Sequence, residues 1–128
     1  MDPETHWIGE RFGGGIVFYV SEDGLHGLIA ETVDQGCCHW IDAHLLAQNG
    51  EHSEAGKAFT DWRLPTTEEL LKLWRQREIV GGFGKYIYWI SRGDYQRVDY
   101  GMALSFSSGF SGLYIKYNNY YVRAVRAF

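Results

Sequence analysis

With 128 residues and a formal net charge of −4, the chain has room for one ordinary domain and none for a separate catalytic module; the charge also argues against nucleic acid as a partner, because phosphate binding rests on clustered Lys and Arg. Its 45% hydrophobic and 22% charged residues exclude a disordered chain, and no apolar run approaches the roughly 20 residues of a membrane-spanning helix. The composition departs from average in its 16 Gly beside 5 Trp, 9 Tyr and 7 Phe, a mixture that suits short strands, tight turns and a loop-rich surface.

Met1-Asp2-Pro3-Glu4-Thr5 opens acidic and polar, without the basic residues and apolar run of a secretory signal. The first predicted strand is Ile16-Val17-Phe18-Tyr19-Val20, which follows Gly13-Gly14-Gly15. After a turn through Asp23-Gly24, Gly27 to Glu31 reads as its hairpin partner. From Trp40 to Ala47 the spacing of Ile41, Leu45 and Leu46 predicts a short helix with those residues on one face, and a second is expected from Ser53 to Phe59. The clearest helix follows Pro65: Thr66 and Glu69 stand at the spacing of a capping box, Leu70, Leu73, Trp74 and Arg77 recur at helical spacing, and Gly81-Gly82 ends the pattern. Four strands are expected beyond Gly84: Tyr86–Ile90, Met102–Phe106, Leu113–Tyr117 and Tyr121–Ala127. Helices in the middle and strands at both ends give an α+β arrangement in which the two ends share a sheet. Trp40, Trp62, Leu70, Trp74 and Trp89 are the expected core.

Catalytic and metal-binding patterns are weak. Cys37-Cys38-His39 sets thiols beside an imidazole, but sequence neighbours rarely face each other as nucleophile and base. Adjacent cysteines with no third cysteine give no structural disulfide. His39 and His44 are five apart, the wrong interval for one helical face, so no metal site and no cofactor are expected. Gly13-Gly14-Gly15 lacks the Lys and Ser/Thr of a phosphate loop.

The stretch Arg92–Tyr121 is different in kind. Its 30 residues include six Tyr, four Ser, four Gly and two Asn, the composition of an antibody paratope, where Tyr supplies contact area at low entropic cost and the small polar residues adapt their hydrogen bonds. The same composition also suits an aromatic-rich sheet with glycine turns, and both readings stay open on composition alone.

The segment Asp61-Trp62-Arg63-Leu64-Pro65-Thr66 with Glu69-Leu70 resembles the Lcl C-terminal domain family. So do Gly14 to Tyr19, His26-Gly27-Leu28, Tyr88-Trp89-Ile90-Ser91 and the ending Tyr121 to Arg126. The resemblance runs in order over nearly the whole chain. It implies a C-type lectin-like fold with two helices, a twisted antiparallel β-sheet and a long irregular binding surface, as a single domain over residues 1–128. Members look like extracellular, cell-surface or virion-associated binding modules of bacteria and phages, some recognising sulfated polysaccharides. A subset are variable proteins of diversity-generating retroelements, and residues 90–121 correspond to their variable region. Codons of the mutagenised AAY type cannot yield Lys, Glu, Gln, Met or Trp; between Ile90 and Tyr121 only Gln96, Met102 and Lys116 belong to that set, where average usage would put roughly six. This chain lacks the cysteine that many members carry before the Asp61 segment, and it lacks the Glu-Pro-Asn and Trp-Asn-Asp motifs of calcium-dependent lectins.

The expected function is therefore non-catalytic recognition of a protein or polysaccharide ligand on a target surface, without nucleic acid and without membrane insertion; an invariant polysaccharide-binding adhesin or a structural homo-oligomerisation domain are the alternatives. The expected contact residues are Arg92, Asp94, Tyr95, Arg97, Asp99, Tyr100, Ser107, Ser108, Phe110, Tyr114, Tyr117 and Tyr120, with Tyr and Arg as energetic anchors. Arg123 and Arg126 are expected to form structural pairs with Asp61 or Glu68.

Overall fold

The computed structural model describes residues 4–94 and 96–128. The fold is α+β, with two sheets and three helices among the described residues. In the smaller sheet, β1 (Arg11–Phe12), β2 (Gly15–Val20) and β3 (Gly27–Ala30) run antiparallel in chain order, and the last strand of the chain, Val125–Ala127, closes against β3. The β2–β3 hairpin turns as its sequence predicts: the Asp23 carboxylate accepts from the Ser21 hydroxyl at 2.6 Å and from the Leu25 amide at 3.0 Å, while Gly24 takes a φ of +75°.

The larger sheet is built around β5 (Ile87–Gly93), β6 (Tyr100–Ser105) and β7 (Ser111–Ile115), an antiparallel meander that ends with β7 at the sheet edge. On its other side β5 pairs parallel with β8 (Tyr120–Val122), and β8 pairs antiparallel with β4 (Gly36–Cys38). The sheet is thus mixed rather than purely antiparallel. The single C-terminal strand expected from Tyr121 to Ala127 is two strands, β8 in one sheet and β9 (Val125–Ala127) in the other.

The break falls at Arg123-Ala124, and the Arg123 side chain explains it. Arg123 is 1% exposed. Its guanidinium donates to the Asp34 carboxylate at 2.9 Å, to the Glu31 carbonyl at 2.9 Å and to the Gly81 and Gly82 carbonyls at 3.1 and 2.7 Å, and it lies 3.9 Å from the centroid of the Phe83 ring. A buried cation is tolerated only with such a full set of acceptors. Satisfying it requires the chain to leave one sheet and join the next. Arg126 takes the expected Asp61, at 2.6 Å.

Helix α1 (Trp40–Asn49) differs from its sequence pattern. Ala43 and Ala47 are buried, whereas Ile41 and Leu45 are 76% and 62% exposed. The alanines let the helix axis come close to β4, β8 and β5, and that close approach decides which face turns inward. Ser53–Phe59 yields a single 3-10 turn, Gly56–Ala58. This connection is fastened by the fully buried Glu31, whose carboxylate accepts from His52 Nδ1 at 2.6 Å and from the Ser53 amide at 3.1 Å.

The helix after Pro65 begins with the predicted capping box: the Glu69 amide donates to the Thr66 hydroxyl and the Thr66 amide to the Glu69 carboxylate. It comprises α2 (Thr67–Arg75) and, after an irregular residue Gln76, the one-turn α3 (Arg77–Val80), so the helices number three rather than two. Leu70 and Leu73 of α2 join Phe18, Tyr88, Ile90, Leu104 and Phe106 in one core cluster; Trp62 and Trp89 sit with Val17, Ile29, Ala43, Ala47 and Val122 in the other. Fully burying a side chain of this size contributes on the order of 3 kcal/mol. Trp40 and Trp74, expected in the core, are only half-buried. Each carries its indole N–H to a backbone carbonyl at the border, Trp40 to Ile90 at 2.9 Å and Trp74 to Phe106 at 3.2 Å.

Candidate ligand-binding surface

After a bulge in β5, Gly93 faces Gly101 of β6 across the ladder. Without side chains, this pair leaves a shallow bed for Trp40. A Cβ on Gly101 would lie 2.5 Å from Trp40 Cδ1, and one on Gly93 would lie 3.3 Å from Cη2. An aromatic ring laid over strand glycines restores the contact area they give up. The Trp40 amide donates to the Lys116 carbonyl at 2.9 Å, and the Lys116 ammonium lies 4.4 Å from the centroid of the Trp40 ring, within cation–π range.

The connections around this bed are positioned mainly by main-chain bonds. Asp94 N–H donates to Tyr100 O at 3.3 Å, Tyr100 N–H to Arg97 O at 2.9 Å, Lys116 N–H to Asp99 O at 2.8 Å, and Asn118 N–H to Ile115 O at 3.1 Å. At the other end of β6, Ser105 N–H donates to Phe110 O at 2.9 Å and Gly109 N–H to Ser105 O at 2.7 Å. Exposed side-chain bonds, among them Ser108 Oγ accepting from Phe110 N–H and Asn118 Nδ2 donating to Tyr120, add to this main-chain frame.

Two grooves meet at the ridge Arg92-Gly93-Asp94. One, of about 700 Å³, is lined by Trp40, Ser91, Val98 and Lys116 as well as the ridge. The other, of about 430 Å³, adds Gln96, Met102 and Leu113 to it. Asp94 is partly engaged already, since its carboxylate accepts from the Gln96 amide at 2.9 Å.

The residues expected to touch ligand fall into three groups. Arg92, Asp94, Arg97, Asp99, Tyr100 and Tyr117 gather around the β5–β6 connection and the β7–β8 turn. There the Tyr117 hydroxyl donates to Asp99 at 3.3 Å and the Arg97 guanidinium stands 6.0 Å from the Tyr100 ring. Ser107, Ser108 and Phe110 lie in the β6–β7 turn at the far end of β6, about 17 Å away at the usual strand rise. That turn leans on α2, where a Cβ on Gly109 would press within 2.7 Å of the Trp74 ring. Tyr114 and Tyr120 form a third group, half-buried and packed onto the frame: Tyr120 meets Trp89 at a tilt with centroids 4.9 Å apart, and Tyr114 meets Tyr120 edge-to-face at 5.3 Å. Tyr95 lies outside the described residues.

Sequence reasoning missed Trp40, Lys116, Met102, Leu113, Gln96 and Val98 as lining residues. Trp40 had a usable signal in the glycines at 93 and 101, which mark where a backbone is closely approached. The others become neighbours only through the β5–β6–β7 register, which pairs Met102 with Leu113.

Shifted titrations fall mostly on the frame. Burial, with Asp34 beside it, pushes the Tyr88 hydroxyl well up; burial also pushes the Cys38 thiol up to about 11, with Asp42 and Cys37 adding to the shift. Cys37 is exposed, and both thiols are free. His39 stands 6.2 Å from the Tyr117 ring and His44 5.7 Å from Trp40; among the described residues no three His, Cys, Asp or Glu side chains converge as metal ligands would.

The family model of the Lcl C-terminal domain matches residues 19–126. No curated protein matches the chain.

Proposed function

The chain belongs to the Lcl C-terminal domain family, and on that premise we propose that it is a non-catalytic recognition domain whose contact surface is carried by residues 90–121. The observation that carries this reading is the division of labour in the bonding. The display segment is positioned by backbone hydrogen bonds from Asp94 to Asn118, while its exposed side chains, Tyr117 at 65% and Phe110 at 76% among them, bear little of the core. Such a surface can change its chemistry without changing its path, which is what a ligand-display domain needs.

The finer reading is that the domain is C-type lectin-like and serves as the variable protein of a diversity-generating retroelement, acting outside the cell, on a cell surface or on a virion. Its support is the Tyr, Ser, Gly and Asn content of Arg92–Tyr121 and the scarcity there of residues that AAY codons cannot encode. The ligand is then a protein or polysaccharide on a target surface.

Two measurements test the proposal. Replacing Arg97, Tyr117 and Phe110 together should abolish binding to any ligand selected on the native domain while leaving the melting temperature within a few degrees; a collapse of the fold would refute it. Sequencing the neighbouring DNA should show a near-identical repeat of the codons for 90–121, differing at adenines, beside a reverse transcriptase gene. Its absence removes diversification and leaves recognition by an invariant surface.

A further inference from the structure

We infer that the paired grooves at the Arg92–Asp94 ridge bind one extended segment of a protein ligand, with an acidic side chain in the groove floored by Trp40 and a large apolar side chain in the groove between Met102 and Leu113. The inference rests on the recognition reading and narrows it to a partner class.

Charge comes first. Although the chain carries a net −4, the Trp40 groove is lined by two cations, Arg92 and Lys116, against the single carboxylate of Asp94. Among the described residues neither cation has a carboxylate within ion-pair distance, and one Asp94 oxygen already serves the Gln96 amide. The Lys116 ammonium rests on the Trp40 ring, so an incoming carboxylate meets a cation already partly withdrawn from water. Charge-assisted bonds of that kind outweigh neutral ones.

Shape and polarity then separate protein from polysaccharide. The second groove offers Met102 and Leu113, and the first is rimmed by Val98, which is 70% exposed. A sugar has no side chain to fill them, whereas a protein segment does. The ridge between the grooves is three residues wide, so at about 3.3 Å per residue an extended ligand spans it with side chains roughly two positions apart, which lie on one face of a strand.

An array of synthetic peptides carrying Asp or Glu two residues from Leu, Ile, Met or Phe, printed beside copies with Asn or Gln at the acidic position, is probed with the intact protein. Acidic peptides should bind about tenfold more tightly than their amide copies. Lys116→Met should erase that preference and Lys116→Arg keep it, while Leu113→Ser should weaken all binders about equally; near-UV circular dichroism should report native packing in each variant. Peptide binders indifferent to both Lys116→Met and Leu113→Ser would overturn the groove assignment and leave recognition by the wider surface intact. Binding to a sulfated polysaccharide array with none to peptides would overturn the protein partner. Silence on both arrays would overturn this inference and leave recognition of a folded epitope standing.

Discussion

The segment around Arg123 and the stretch from Ser91 to Asn119 are both rich in charged and aromatic residues, yet those residues are used in opposite ways. Around Arg123 the side chains do the joining: one guanidinium ties Asp34, Glu31, Gly81 and Gly82 together beneath the Phe83 ring, and Glu69 holds Arg63 with two contacts at 2.7 and 2.8 Å. Between Ser91 and Asn119 the main chain does most of the joining, and the side chains stand on it. Removing a side chain should therefore cost stability in the first region and ligand in the second.

Arg123→Ala should produce the largest loss. It strands three carbonyls and leaves the half-buried Asp34 carboxylate with the Tyr88 hydroxyl as partner, so a loss of about 3 kcal/mol, the low end for a broken buried pair, is expected, readable as a shift in the urea midpoint. A loss under 1 kcal/mol would erase the distinction between the regions. Next comes Trp40→Ala, which uncovers Gly93 and Gly101; at a half-buried site a loss of about 2 kcal/mol is expected, together with a changed near-UV spectrum. Tyr120→Ala sharpens the comparison from inside the display stretch. Its tilted contact with the Trp89 ring predicts a cost of about 0.5–1.5 kcal/mol beyond lost area, so it should behave as a frame residue. Tyr117→Ala and Phe110→Ala should each stay within about 0.5 kcal/mol of wild type while changing affinity.

Acid offers a separate handle on the frame. Burial pushes the Glu69 carboxyl up, but the Arg63 guanidinium and the Thr66 amide more than reverse it, leaving Glu69 below its usual 4.5. A carboxylate lowered on folding adds stability above its unfolded value and loses it as pH falls through the folded one. Stability should drop as pH falls below about 4.5, and Glu69→Gln should flatten that drop in pH-dependent melts.

The sequence was readable where a local rule and the tertiary structure agree. The capping box at Thr66 and Glu69, the Asp23-Gly24 hairpin and the β5–β6–β7 run are local patterns, and each appears, although β6 and β7 start two residues earlier than expected and β5 ends three later. Two features were not readable. Ile41 and Leu45 carry the apolar periodicity of α1, but Ala43 and Ala47 face the sheet because close helix approach depends on small size rather than hydrophobicity. The seven residues from Tyr121 to Ala127 read as one strand because the pattern holds no breaker; the break comes from acceptors at Asp34, Gly81 and Gly82, far away in sequence. The site was half legible for a similar reason: composition located the exposed tyrosines and arginines, while Trp40 and Lys116 join them only through folding.

The length of β6 fixes how large a ligand must be to feel the whole surface. The Ser107–Phe110 turn and the Arg92–Asp99 connection stand at its two ends, held apart by a sheet that cannot shorten. A monosaccharide or a lone side chain can occupy one end only, and only a ligand with a footprint of about 17 Å, such as a folded epitope or an extended segment of about six residues, can press on both. Affinity changes at the two ends should then add independently, as they do for sites beyond about 10 Å, so the two patches can be improved one at a time and combined.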